Sequence, residues 1–195
     1  MVERRKNFSI ARRFVPPGSL VFLDESGAQS NRTRRYGRAP VGQRCVGHTA
    51  HGHWKTTTLL NAVRLDGVIQ DATVIVDGPM NSEVFTAYTE RCLAPSLRPG
   101  DVVVMGNLSS HESKAVIEAV QAVDGEVWFL PPYSPGLNPI EKLWSKVKAW
   151  LRKTRPSNFD TIGRALAEVL RTVTAHECSN YFRSCGYGDS KCKTL

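Results

Sequence analysis

The sequence predicts a mixed α/β domain around a five-stranded sheet, and three observations carry that reading. The first part of the chain holds three β-rich stretches with no helical periodicity between them. Strand-like runs and helix-like spacings then alternate, and the closing segment is helical. Strands that follow one another directly pair as an antiparallel meander, whereas strands separated by helices pair in parallel. With the first strand beside the fourth, the sheet order becomes 3-2-1-4-5.

Each element has a local reason. Residues 1–18 are basic and end in Pro16-Pro17-Gly18, which reads as a flexible lead-in to a domain over 19–187. Residues 19–25, SLVFLDE, are an apolar run bounded by glycines and ending in acids, a buried strand. A basic connection, RTRRYGRAPVGQR over 32–44, follows. Residues 54–76 are rich in Thr, Val, Ile and Leu and break at Asp66-Gly67, a hairpin signal. Residues 81–97 switch to helical spacing through Val84, Phe85, Tyr88 and Cys92, and stop near Pro95. DVVVM (101–105) is the fourth strand and EVWFL (126–130) the fifth, with an amphipathic helix over 110–123 between them. The loop PPYSPGL leads into a helix over about 139–153, a last helix covers 157–175, and 188–195 is a tail.

Composition narrows the class of function. The 195 residues carry a net charge of +8, which favours a polyanionic partner such as nucleic acid. No apolar run is long enough for a membrane span, and the basic N-terminus lacks the apolar core of a secretory signal, so a cytoplasmic protein is expected. The five cysteines form no C-x-x-C pair and read as reduced thiols. His176, Cys178, Cys185 and Cys192 crowd the end of the chain, but their spacing matches no common zinc pattern and packing is the reading taken.

In open α/β sheets, ligand sites lie beyond the carboxyl ends of central strands whose connections diverge. Here those ends are Asp24, followed by Glu25, on one strand and Gly106 on the other. Glu141 opens the next candidate element. Asn138 is a good N-cap, Pro139 suits the first helical position, and Glu141 falls three residues after the cap, so a capping box would account for it. The face that carries Glu141 continues through Ser145, Lys148 and Arg152, which puts a carboxylate at the head of a cationic stripe.

A resemblance joins these hints. FLDESG, MGNLSSH and LPPYSPGLNPIEKLW resemble the three motifs of the mariner-like DDE transposases of bacterial insertion sequences, the six-thirty group in particular. The similarity runs from about residue 19 to FRSCGY near the end. It implies a ribonuclease H-like fold and a reaction that cuts and rejoins DNA, using three carboxylates and two divalent ions, Mg²⁺ or Mn²⁺. The family's first acid matches Asp24 and its third matches Glu141. Its middle acid should stand directly before Asn-Leu, where this chain has Gly106. Gly136 is a second departure, at a position that is commonly acidic but not a metal ligand.

The expected partner is double-stranded DNA, both transposon ends and target, with a homodimer as one open arrangement. Arg34, Arg35 and Arg38 on the basic connection, and Lys146, Lys148 and Arg152 on the helix of Glu141, are the candidate phosphate contacts. Only about 18 residues precede the first strand, too few for the helix-turn-helix region of longer relatives, so the catalytic part alone is expected. Asp101, Asn107 and His111 are weak substitutes for the middle acid. The resulting expectation is a strand-transfer domain impaired at position 106. The alternative is a non-catalytic DNA-binding remnant that could interfere with an active copy.

Overall fold

Alternation of apolar side chains builds the sheet and decides which face each residue serves. The structure, a computed structural model, describes residues 2–29, 37–46, 56–106 and 113–188. Strands β1 (Leu20–Gln29), β2 (Thr56–Arg64) and β3 (Gly67–Asp77) form the meander. The hairpin between the last two turns at the Asp66-Gly67 step. Gly67 adopts φ 158° there, near the edge of the range that side chains tolerate. Strand β4 (Val102–Met105) lies parallel to β1, and β5 (Glu126–Phe129) lies parallel to β4. The order is β3-β2-β1-β4-β5, as the sequence predicts.

Helices cover both faces. On one side, α2 (Ser82–Tyr88), continued by a π-helical turn over Thr89–Leu93, and α3 (Lys114–Gln121) pack on Val21, Leu23, Val103 and Met105. On the other, α4 (Ile140–Thr154), α5 (Phe159–Arg171) and α6 (Ala175–Ser184) pack on Leu20, Phe22, Val102 and Val104. Successive strand residues point to opposite faces, so even-numbered positions of β1 and β4 face the α4 side. None of the described helices is long and apolar enough to cross a membrane.

Two elements differ from the sequence reading. Residues 2–11, expected as a flexible lead-in, form helix α1 (Val2–Ala11), whose Phe8 joins the core and meets Trp128 edge-on at 6.1 Å. Its weak amphipathicity hid it, because one long-range aromatic contact and a few arginine hydrogen bonds hold it in place. The segment after α5 forms α6, started by a capping box between Thr174 and Glu177. Cys178 and Cys185 are buried there as packing residues.

Candidate active site at the end of the central strands

Register brings the first two motif positions side by side. Leu20, Val21 and Phe22 pair with Val102, Val103 and Val104. Two further steps along both strands set Asp24 beside Gly106. Both positions are even, so both face α4, and β4 ends at Met105 while β1 runs on to Gln29. That early end opens a crevice. Glu141, in the first turn of α4, closes its far side, and one cavity of about 550 Å³ is lined by Asp24, Gly106 and Glu141 together with Tyr133, Ser134 and Asn138.

Asn138 is not the cap that the local sequence suggests. The N-cap position of α4 falls on Pro139 with no side-chain cap, and Asn138 Nδ2 instead donates to Asp24 Oδ2 at 3.4 Å. The other Asp24 oxygen, Oδ1, accepts from the Glu25 backbone N–H at 2.9 Å. Asn138 is 5% exposed, and its Oδ1 has no hydrogen-bond partner among the described residues. A buried amide oxygen left unsatisfied costs free energy.

The donors around the cavity are hard oxygens, the type that Mg²⁺ and Mn²⁺ prefer. Number is the shortfall: among the described residues no three His, Cys, Asp or Glu side chains group closely enough to hold a metal ion. At Gly106, an added Cβ would meet no described atom within 4 Å. Asp101 cannot stand in, because it is buried on the opposite parity in an ion pair with Arg64.

Residues far along the chain hold the loop over the cavity, and the sequence did not signal them. Arg5 Nε donates to Ser134 Oγ at 2.9 Å, and its Nη2 donates to the Tyr133 carbonyl at 2.6 Å. Tyr187 Oη donates to the Leu137 carbonyl at 2.7 Å, while Arg12 lies 4.6 Å from the Tyr187 ring centroid. Burial pushes the Tyr187 hydroxyl well above its ordinary value, so it stays protonated as a donor.

The predicted phosphate contacts divide. Arg34 and Arg35 lie outside the described residues. Arg38 is exposed, and Lys148 and Arg152 are half-buried on α4. Lys146 is engaged elsewhere: its Nζ donates to both Glu177 oxygens at 2.8 and 2.9 Å and to the Thr172 carbonyl. It pins α4 to α6, which weakens its case as a phosphate contact.

The five-stranded mixed sheet of order 3-2-1-4-5 with helices on both faces has the ribonuclease H-like fold; Asp24 lies midway along its central strand, level with the end of β4, and Glu141 faces it from α4. The chain belongs to the DDE superfamily endonuclease family, whose sequence profile matches residues 19–162. Among solved structures, it is similar to the Mos1 transposase paired-end complex with left transposon end (TM-score 0.75, 19% identity, covering 94% of this chain and 58% of that one). The catalytic domain of Mos1 mariner transposase gives a TM-score of 0.69 at 16% identity, covering 94% and 86%. The mariner Mos1 paired-end complex with Mg gives 0.72 at 22%, covering 94% and 57%. The chain thus spans little more than half the length of the Mos1 chains in the paired-end complexes. No curated protein matches it.

Proposed function

We propose that this chain is the catalytic domain of an insertion-sequence transposase, of the bacterial six-thirty branch, acting on double-stranded DNA in the cytoplasm. It cuts and transfers strands with a divalent metal held by Asp24 and Glu141, at low activity because Gly106 occupies the place of the middle acid. The observation that carries this reading is the convergence of Asp24, Gly106 and Glu141 on one cavity. Family membership and the likeness to transposase structures, one of them with Mg, support it. A divalent ion at such a site supplies charge stabilisation for the attacking and leaving oxygens. The chain's own residues supply the frame: Asn138 orients Asp24, α4 presents Glu141, and Arg38, Lys148 and Arg152 offer charge for the DNA backbone.

The test is nicking of supercoiled plasmid with Mg²⁺ or Mn²⁺ by the chain and by its Gly106→Asp variant. The unaltered chain should nick near background. Because the added Cβ meets no described atom, the variant should fold, bind Mg²⁺ more tightly and nick faster. Recovery of several kcal/mol of transition-state stabilisation would appear as tenfold for each ~1.36 kcal/mol. Equal rates for the two proteins would overturn the role given to position 106. A second reading, a DNA-binding remnant that regulates an active copy, is favoured by Gly106 itself. It predicts duplex binding that weakens steeply between about 50 and 200 mM salt, with no nicking by either protein.

A further inference from the structure

Tyr133 stands on the wall between two cavities and is explained by neither packing nor the motif acids. The residue is 83% exposed, and its backbone holds φ 53°, a left-handed conformation that is rare and costly for a bulky residue. The conformation is enforced from outside. Arg5 grips the Tyr133 carbonyl and the Ser134 hydroxyl, Ser134 Oγ donates to the Pro132 carbonyl at 3.1 Å, and Pro132 and Pro135 restrict the chain on either side. The ring is therefore presented to solvent on a fixed backbone, which lowers the entropy lost when something stacks on it.

One of the two cavities is the site of Asp24 and Glu141. The other, about 410 Å³, is lined by Arg5, Ser9, Tyr133, Pro135, Gly136 and Leu137 and has no carboxylate on its wall among the described residues. Gly136 leaves it open, since an added Cβ would meet no described atom within 4 Å. An aromatic residue, apolar walls and hydroxyls, beside a guanidinium whose Nε and Nη2 already donate to Ser134 and Tyr133, match a nucleobase better than a bare phosphate. The chain's +8 charge favours a polyanion as the bearer of that base.

We propose that this second cavity takes one nucleobase, unstacked from the strand whose phosphate lies at the Asp24–Glu141 site, with its face against the Tyr133 ring. The proposal rests on the DNA-cleavage reading and adds to it a base-receiving site. Stacking accepts any base, so the site grips strand ends and frayed steps without choosing a sequence.

The test is metal-free photo-cross-linking to a single-stranded oligonucleotide carrying 5-iododeoxyuridine, with peptide mapping, alongside affinities for that strand and for its blunt duplex. The cross-link is expected at Tyr133. Tyr133→Ala should weaken single-strand binding by about five- to 150-fold, with duplex binding changed by less than about twofold, and Tyr133→Phe should retain both. Tyr133→Gly, which suits the positive φ, should lose the same single-strand affinity without loss of thermal stability, separating stacking from folding. A cross-link elsewhere, unchanged single-strand affinity in Tyr133→Ala, or equal loss for both DNA forms would overturn the proposal. Failure of the nuclease reading is distinct: it shows as absent nicking by Gly106→Asp and leaves the metal-free cross-link intact.

Discussion

Asp101→Asn removes the charge from the most enclosed ion pair among the described residues. The Asp101 carboxylate meets Arg64 Nη2 at 2.5 Å and Nη1 at 3.4 Å and accepts the Arg98 backbone N–H at 2.6 Å. The two side chains are 3% and 4% exposed, and Arg64 also donates to the Ser96 carbonyl, so the pair ties β2 to the turn before β4. Asparagine keeps the shape and can still accept from Arg98, but it leaves a guanidinium charge buried without its counter-ion. Breaking such a pair costs about 3–5 kcal/mol. For a domain of this length, each kcal/mol lowers Tm by about 2–4 °C, so calorimetry should show a fall of about 6–20 °C. Replacing both partners, Arg64→Met with Asp101→Leu, should recover most of the loss, because neither charge is then stranded. A single variant that melts with its parent would refute the reasoning, as would a double variant no better than the single one.

Two further outcomes follow from ionisation. The Glu177 carboxyl is held below its ordinary value of 4.5, chiefly by the hydrogen bond from Lys146 and then by the Thr174 backbone N–H. A lowered folded pKa stabilises above 4.5 and loses that contribution as pH falls through the folded value. Lys146→Met should therefore flatten the fall of the urea midpoint below about pH 4.5, by a small amount because solvent screens the pair. Burial pushes the Cys178 thiol up to about 11, whereas Cys45 is exposed. Iodoacetamide at about pH 8 should alkylate Cys45 in the native protein and reach Cys178 only on unfolding, and equal rates by mass spectrometry would contradict the buried α6.

Local chemistry made the sheet legible. Asp66-Gly67 marked the β2–β3 hairpin, and the unbroken apolar run Val102–Met105 marked a strand buried on both faces. The positions of Asp24 and Gly106 followed from strand order. Asn138 was misread because a cap before a helix is the cheapest local explanation of Asn-Pro-x-Glu, and only the fold brings it to Asp24, 114 residues away in sequence. The pairing of Lys146 with Glu177 and the grip of Arg5 on Tyr133 are likewise contacts between distant segments that no window of sequence contains. Helix α6 was the avoidable miss, since the Thr174–Glu177 capping box can be read directly from the chain.

The open space at Gly106 also has a genetic meaning. Glycine codons that end in a pyrimidine become aspartate codons by a transition at the middle base. Here a Cβ at position 106 would meet no described atom within 4 Å. If position 106 is the place of the middle acid, as proposed, a selection that rewards strand cutting should find Gly106→Asp, one base change away, before any compensating change among the described residues of the domain.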